Sequence, residues 1–308
     1  MNRLAGPHQP RLSRPVAWLS LCRVDQYVKN LFVFLPPFFA GRLMEFQVLV
    51  VVIPSFLAIS LLASGVYIYN DIWDIEEDRS HPMKRRRPLP SGDVSPREAK
   101  RLATALLLLG FCVAGVESFR IRSGELFLLF SAYVLMNILY TRWLKRFAIL
   151  DVAIIAIGFV IRIFIGAISS AVLLSNWILL MTFLLAFFLG FGKRRDDLVL
   201  LEDDAVRVRK SVAGYNLAFL DAAMGIMASV VLVTYIMYTV SPDVIARFGT
   251  DRVYYTTVFV VLGILRYLQI TFIERNSGSP TQVLLKDRFI QIVVAGWILS
   301  FLLILYVD

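Results

Sequence analysis

The sequence has little cysteine, with two thiols, Cys22 and Cys112, among 308 residues. They lie far apart, in or near apolar segments, and so indicate neither a disulfide framework nor a cysteine metal site. The chain also lacks a hydrophilic stretch long enough for a separate soluble domain. Residues 1–16 are basic but have no neighbouring apolar core with a small-residue cleavage site, so we expect no cleaved signal peptide.

Acidic residues are also scarce relative to basic ones, 23 against 32, which gives a formal net charge of +9. Such an excess suits either nucleic acid or an anionic membrane surface as a partner. The basic residues cluster beside long apolar segments, which favours a membrane and phosphorylated substrates. We therefore expect membrane lipid as a partner and no nucleic acid.

Apolar residues are abundant, at 58% of the chain with a mean hydropathy of +0.70. Segments of about twenty apolar residues recur, which predicts an all-α polytopic membrane protein. Nine transmembrane spans are predicted, at 18–41, 48–73, 99–118, 124–141, 147–168, 176–193, 216–240, 253–273 and 289–307. The first should be kinked, because it contains Pro36 and Pro37.

The distribution of basic residues predicts the orientation of these spans. With the N-terminus in the cytoplasm, most of the 32 lysines and arginines lie on the cytoplasmic side. The opposite side holds Arg42, Arg120, Arg122, Arg247 and Arg252. The positive-inside rule therefore favours this topology, with cytoplasmic loops at 74–98 and 194–215. We expect the protein to lie in the inner (plasma) membrane of the cell.

A cluster of acids follows the second predicted span. Asp71, Asp74 and Asp78 fall at i, i+3 and i+7, on one face of a helix if the helix continues. Such closely spaced carboxylates repel one another unless a cation joins them, and hard oxygen ligands of this kind suit Mg²⁺ shared with a substrate phosphate. The alternative is a solvated helix end of mixed charge.

A basic, proline-rich loop comes directly after these acids. Pro82, Pro88 and Pro90 end the helix and restrict the loop between them. A loop of fixed shape can aim Lys84 and Arg87 at the acids, where they could bind outer phosphate oxygens.

A second charged cluster follows the sixth predicted span. Lys193 and Asp197 are four residues apart, on one helical face, with Arg194 beside them. One carboxylate with several cations suits a heavily phosphorylated substrate better than a second all-acid metal site. Asp197 could complete a metal shell directly or through water.

Several polar residues lie inside apolar segments. Arg162 falls within the fifth span, where insertion costs about 2.5–3.5 kcal/mol, so it should face a polar cavity and pair with an acid or a substrate phosphate. Lys29 is similarly placed in the first span. Tyr133, Asn137 and Tyr140 form a polar stripe on the fourth span, which could contact substrate or join helices.

The first cluster resembles the first signature of the UbiA superfamily of intramembrane transferases. The residues that carry the resemblance are Asn70, Asp71, Asp74, Asp78, Lys84, Arg87, Pro88, Ser91 and Gly92, with Gln26, Tyr27, Lys29 and Asn30 in the first helix. The resemblance implies a nine-helix bundle with an Mg²⁺-diphosphate site open to the cytoplasm, in which Asn70, Asp71, Asp74 and Asp78 hold the metal. It makes residues 1–308 a single transferase domain.

The second cluster is similar to the phosphoribosyltransferase branch of that superfamily. Prenyltransferases usually carry two aspartates four apart at this place, whereas here the sequence reads Gly192-Lys193-Arg194-x-x-Asp197. Arg209-Lys210-Ser211-x-x-x-Tyr215 also resembles the branch, while Asp197 stands where Glu is usual.

The branch implies transfer of 5-phosphoribose from phosphoribosyl diphosphate (PRPP) to a decaprenyl-like polyprenyl phosphate, with Mg²⁺ as cofactor. The resemblance assigns Asp71, Asp74, Asp78, Lys193 and Asp197 to catalysis. Substrate binding falls to Lys29, Asn70, Lys84, Arg87, Tyr133, Asn137, Tyr140, Arg162 and Arg194. The oligomeric state stays open, a homo-oligomer included.

Two other functions are compatible with parts of the sequence. A prenyltransferase would take the lipid diphosphate as its donor and move the prenyl group to a small acceptor. A polyprenyl-phosphate transporter would need polar groups through the whole membrane depth, whereas the acids here cluster at one face.

Overall fold

A computed structural model describes residues 13–80, 84–204, 214–274 and 280–306, and this part of the chain is helical without β-strands. The α-helices are α1 Arg14–Cys22, α2 Leu35–Phe39, α3 Phe46–Trp73, α4 Ile75–Ser80, α5 Pro96–Arg120, α6 Gly124–Arg142, α7 Leu150–Ser170, α8 Asn176–Asp204, α9 Leu217–Thr239, α10 Pro242–Phe248, α11 Thr257–Gln269, α12 Pro280–Lys286 and α13 Arg288–Tyr306. The 3₁₀-helices are Val24–Phe34, Lys84–Arg86, Leu144–Arg146 and Arg252–Thr256, and Ile270–Glu274 is a π-helix. The predicted all-α membrane fold is confirmed.

Among the described residues, fewer segments than the nine predicted are long and apolar enough to be membrane spans. In the described ranges, seven helical segments are long and apolar enough to cross a membrane, or eight if α12 and α13, bent by 85°, form one broken span. These seven correspond to the second through eighth predicted spans, and the bent pair contains the ninth. The predicted count of nine is therefore not confirmed.

The first predicted span, 18–41, is not one helix. α1 ends at Cys22, the next residue Arg23 has a left-handed backbone (φ 52°), and a 3₁₀-helix and the short α2 follow. Pro36 and Pro37 lie in the first turn of α2, where a missing N–H costs little. The expected kink is thus a full break, located thirteen residues earlier, at Arg23.

Close helix packing depends on glycine at several contacts, two of which join elements near the site. A Cβ on Gly65 of α3 would lie 2.7 Å from Leu107 Cγ on α5. A Cβ on Gly166 of α7 would lie 2.0 Å from the backbone oxygen of Val33. α7 also packs against α3, α6 and α8, so this helix connects the two halves of the bundle.

The two predicted cytoplasmic loops are more helical than expected. The segment 74–98 contains α4, a 3₁₀ turn and the start of α5, which Ser95 begins with a capping box to Glu98. The predicted loop 194–215 is wrong in its first part, because α8 continues to Asp204. Charged side chains ended the apolar pattern there, but they are compatible with helix and did not end α8.

Candidate active site

The first acid cluster lies at the junction of α3 and α4. Asp71, Asp74 and Asp78 are 3%, 5% and 1% exposed, whereas Glu76 and Glu77 on the same stretch are exposed. The N–H of Asp74 donates to Asn70 O at 2.9 Å, and that of Asp78 to Asp74 O at 2.8 Å. The helical path therefore continues through Asp74, and the predicted i, i+3, i+7 face is the buried one.

Each buried acid meets a basic side chain from elsewhere in the chain. Arg23 donates to Asp71. Arg87 Nη1 donates to Asp71 Oδ1 at 3.2 Å and to Asp78 Oδ2 at 2.8 Å. Lys145 Nζ donates to both oxygens of Asp74, at 2.7 and 2.8 Å. These cations offset the repulsion among carboxylates that water can no longer screen.

These residues fit a Mg²⁺ ion. One nitrogen of Arg87 reaches Asp71 and Asp78 together, so a cation already occupies the space between two hard oxygen ligands. Within the described ranges, no three His, Cys, Asp or Glu side chains are arranged to hold a metal, and Asp74 is paired with Lys145. Mg²⁺ commonly binds one or two carboxylates and takes its other ligands from water and substrate phosphates.

The loop that carries Arg87 is closed by its own backbone hydrogen bonds, while Pro82, which was expected to help end the helix, lies outside the described residues. Pro88 O accepts from the N–H of Val94 at 3.0 Å, and Arg87 O accepts from that of Ser91 at 3.0 Å. Leu89 and Val94 are buried in a core cluster with α1 and α3. Lys84 begins the short 3₁₀-helix of this loop, and its contact with phosphate stays a prediction.

A second polar group lies deeper in the bundle, around Arg162 of α7. This guanidinium is 4% exposed and donates to Asn30 Oδ1 at 2.8 Å, Tyr133 Oη at 3.0 Å and Gly158 O at 2.8 Å. Of its two expected partners, an acid or a substrate phosphate, no acid among the described residues pairs with Arg162, and its three hydrogen bonds go to neutral acceptors. Lys29 is close enough to Arg162 for the two positive charges to interact.

The three residues of the predicted polar stripe on α6 have different hydrogen-bond partners. Tyr133 bonds Arg162, and Tyr140 accepts from Arg194 Nη2 at 3.0 Å. Asn137 donates from Nδ2 to Tyr133 O at 2.8 Å, within its own helix. The stripe therefore connects two arginines, and a role in contacting ribose stays a prediction.

The second cluster is built on α8 around a buried arginine. Arg194 Nε donates to Asp151 Oδ2 at 2.5 Å, and Nη1 donates to Asp197 Oδ2 at 3.1 Å. Lys193, one turn before Asp197, is half-buried on the same helix. Since all three nitrogens of Arg194 already have protein acceptors, binding a donor phosphate would use its remaining N–H groups.

Sequence reasoning missed several partners of the site. From the sequence, Arg23 and Lys145 count only as basic residues that orient the membrane spans, and Asp151, like the polar stripe on α6, fits either substrate contact or helix packing. Their proximity to the acids arises from contacts between segments 43 to 71 residues apart, which no local pattern reports. The segment Arg209–Ser211 lies outside the described residues.

The helical bundle and its buried acids define the class of protein, and sequence comparison agrees. The UbiA prenyltransferase family matches residues 34–303, and the chain belongs to this family. The resemblance stated from the signature residues is thereby confirmed.

Individual proteins of this family show what the chain is similar to in more detail. The chain is 30% identical over 304 residues to decaprenyl-phosphate phosphoribosyltransferase of Mycolicibacterium smegmatis, covering 96% of this chain and 93% of that protein. It is 26% identical to the protein of that name from Corynebacterium glutamicum, covering 97% and 90%. A solved UbiA homolog from Archaeoglobus fulgidus bound to DMAPP and Mg²⁺ shares the fold, with a TM-score of 0.66 and 17% identity over 95% of this chain and 100% of that chain.

Proposed function

We propose that this protein transfers 5-phosphoribose from PRPP to a decaprenyl-like polyprenyl phosphate and releases diphosphate. The observation that carries the proposal is the second cluster, where the carboxylate of Asp197 on α8 is held by the buried Arg194 of the same helix and preceded by Lys193. A donor with a diphosphate and a separate 5-phosphate needs cations there, whereas a second all-acid site would serve a prenyl diphosphate. The names of the two bacterial relatives support this choice.

The first cluster would bind the leaving diphosphate. Asp71 and Asp78 already face one cationic atom of Arg87, and Asn70 and Asp74 adjoin them in the same helical path. Mg²⁺ held there would offset the negative charge that grows on the departing diphosphate. Arg87 and Lys145 would then exchange part of their carboxylate contact for phosphate oxygens, as charge-assisted hydrogen bonds allow.

The deeper group around Arg162 would suit the phosphate of the lipid. Its hydrogen-bond acceptors are neutral, so its charge is not balanced by a carboxylate of the described residues. A buried cation is costly unless an anion accompanies it, and the positive charge of Lys29 interacts unfavourably with that of Arg162. A lipid acceptor also explains why the site lies among membrane helices.

The reaction needs little chemistry from the protein beyond placement. The bond between ribose C1 and the diphosphate oxygen breaks, C1 gains oxocarbenium character, and an oxygen of the lipid phosphate bonds to C1 from the opposite face. Configuration at C1 inverts. Because the nucleophile is already anionic, no general base is required, and orientation with electrostatic stabilisation supplies most of the acceleration.

The test is incubation of purified protein with Mg²⁺, PRPP labelled in the ribose and a polyprenyl phosphate. We expect labelled lipid and free diphosphate, with product formation abolished by EDTA and restored by added Mg²⁺. Failure to label the lipid, together with prenyl transfer from a prenyl diphosphate to a small acceptor, would replace our proposal with the second candidate. That candidate is favoured by the name of the matched family.

A further inference from the structure

Asp151 belongs to neither predicted cluster, yet it is the acid most fully enclosed beside them. It lies in the first turn of α7 and is 0% exposed. Its two oxygens have different partners: Arg194 Nε donates to Oδ2 at 2.5 Å, and Tyr215 Oη donates to Oδ1 at 2.6 Å. A buried carboxylate is costly unless it is paired and hydrogen-bonded, and Asp151 is both.

Tyr215 joins Asp151 to the chain that follows α8. Its hydroxyl also accepts from the N–H of Ile149 at 2.5 Å. Ile149 has a positive φ of 69°, which is rare for a β-branched residue. Gly214 approaches so closely that a Cβ on it would lie 2.6 Å from Ala148 Cβ. Burial, and then the bond to Asp151, raise the pKa of Tyr215, so the phenol keeps the proton it donates.

Arg194 extends the hydrogen-bond network of Asp151 toward more exposed residues. The exposed fraction of the side chains rises from 0% at Asp151 to 4% at Arg194 and 19% at Asp197. Arg194 Nη2 also holds Tyr140 at 3.0 Å. Asp151 is therefore the innermost member of a series that ends on the more exposed carboxylate of the second cluster.

The short connection between α6 and α7 reaches the first cluster as well. Residues 140–151 run from the end of α6 to the first turn of α7 and include Tyr140, Lys145 and Asp151. Lys145 bonds both oxygens of Asp74, while Tyr140 and Asp151 bond Arg194. Any shift of this connection would therefore move partners of both clusters together.

We propose that Asp151 is a positioning residue that fixes Arg194, and through it orients Asp197 and Tyr140 toward the donor substrate. The proposal rests on the proposed phosphoribosyl transfer. Asp151 itself touches neither substrate. Its charge holds the guanidinium in one orientation, and its bond to Tyr215 holds the α6–α7 connection against the segment that begins at Gly214.

The test is Asp151→Asn, which keeps the shape of the side chain and removes its charge. We expect the KM for PRPP to rise about 10–100-fold, the loss typical of partners that orient a ligand-binding group, with the KM for polyprenyl phosphate unchanged. The matched control is Asp287→Asn, another acid paired with an arginine, Arg266, at 2.7 Å. Asp287 also accepts from the N–H of Ile290 at the start of α13, and its loss should lower thermal stability at an unchanged KM for PRPP.

The outcomes separate the two proposals. If the wild type labels lipid from PRPP and Asp151→Asn keeps the wild-type KM for PRPP, or raises both KM values equally, the positioning role is overturned. If Asp151→Asn does not fold, Tyr215→Phe decides in the same way. If the wild type transfers only prenyl groups, the phosphoribosyl proposal fails. A raised KM of Asp151→Asn for prenyl diphosphate then supports the positioning role, and an unchanged KM overturns it.

Discussion

At the scale of single residues, Asp74 is the acid whose loss should be most informative. Both its oxygens accept from Lys145 Nζ, at 2.7 and 2.8 Å, at the point where α3 gives way to α4. Asp74→Asn preserves volume but removes the charge that would hold the metal and diphosphate. We expect kcat for phosphoribosyl transfer to fall at least about 100-fold, in line with loss of a group that stabilises developing charge.

The control for Asp74 is Glu76→Gln on the same stretch. Glu76 is 80% exposed in its side chain and pairs with Arg79 at the surface. Exposed pairs of this kind contribute little, so kcat and KM should stay at wild-type values. A near-normal rate for Asp74→Asn would exclude Asp74 from the metal shell.

Removing Lys145 should have a different effect from removing Asp74, because the ammonium group of Lys145 occupies the place beside Asp74 that a metal ion would take. Lys145→Ala leaves Asp74, which is 5% exposed, without its partner. We expect the Tm in metal-free buffer to fall, since an unpaired buried carboxylate is destabilising, and Mg²⁺ with inorganic diphosphate to raise the Tm more than in the wild type. Thermal unfolding in detergent with and without these additions measures both effects.

The neighbouring Arg146→Ala serves as the control for Lys145, because Arg146 is an exposed cation of the same 3₁₀-helix. It should respond to Mg²⁺ and diphosphate as the wild type does. Equal responses of all three proteins would mean that Lys145 does not compete with the metal for Asp74.

At the scale of elements, the contact between α7 and the first 3₁₀-helix should tolerate no added methyl group. In Gly166→Ala the new Cβ would lie 2.0 Å from Val33 O and 2.8 Å from Val33 C, and backbone atoms cannot turn aside as a flexible side chain can. The two helices must separate, which overpacking data put at about 1–3 kcal/mol. The hydrogen bond from Arg162 to Asn30 joins the same two elements, so activity should fall as well.

Gly225→Ala is the matched control for this prediction. Gly225 lies within α9, and no atom lies within 4 Å of the place where its Cβ would be. Alanine is the better helix former, so the Tm should hold or rise slightly. A Gly166→Ala protein as stable and active as Gly225→Ala would show that α7 is not packed against Val33 as described.

The elements also show what sequence alone could predict. Long apolar runs predicted the bounds of α3, α7 and α9 to within a few residues, because a membrane helix is determined locally by length and apolar composition. The helical period likewise placed Asp71, Asp74 and Asp78 on one face, which the structure buries while Glu76 and Glu77 are exposed.

Other features depend on distant contacts and carry no local signal. The break at Arg23 requires a left-handed backbone at a residue other than glycine, which composition does not predict. The pairing of Lys145 with Asp74 joins segments 71 residues apart. α8 continued to Asp204 because helix formation does not end where hydropathy does.

At the scale of the whole molecule, the remaining prediction is the orientation in the membrane. Both acid-bearing clusters and most basic residues are expected on the cytoplasmic side of the inner membrane. The native thiols, Cys22 and Cys112, can be replaced by serine, and one cysteine then introduced at Ser91 in the first loop or at Glu125 at the start of α6. Both positions are exposed, so accessibility depends on the side of the membrane.

A membrane-impermeant thiol reagent applied to intact cells should label the Glu125→Cys protein and leave the Ser91→Cys protein unlabelled until the membrane is opened. The reverse pattern would put the acid clusters outside, away from the cytoplasmic supply of a phosphorylated, water-soluble donor. Phosphoribosyl transfer from PRPP requires that donor to reach Asp71 and Asp197 from the aqueous side. The labelling pattern therefore tests the orientation, and the reverse pattern would also count against PRPP as the donor.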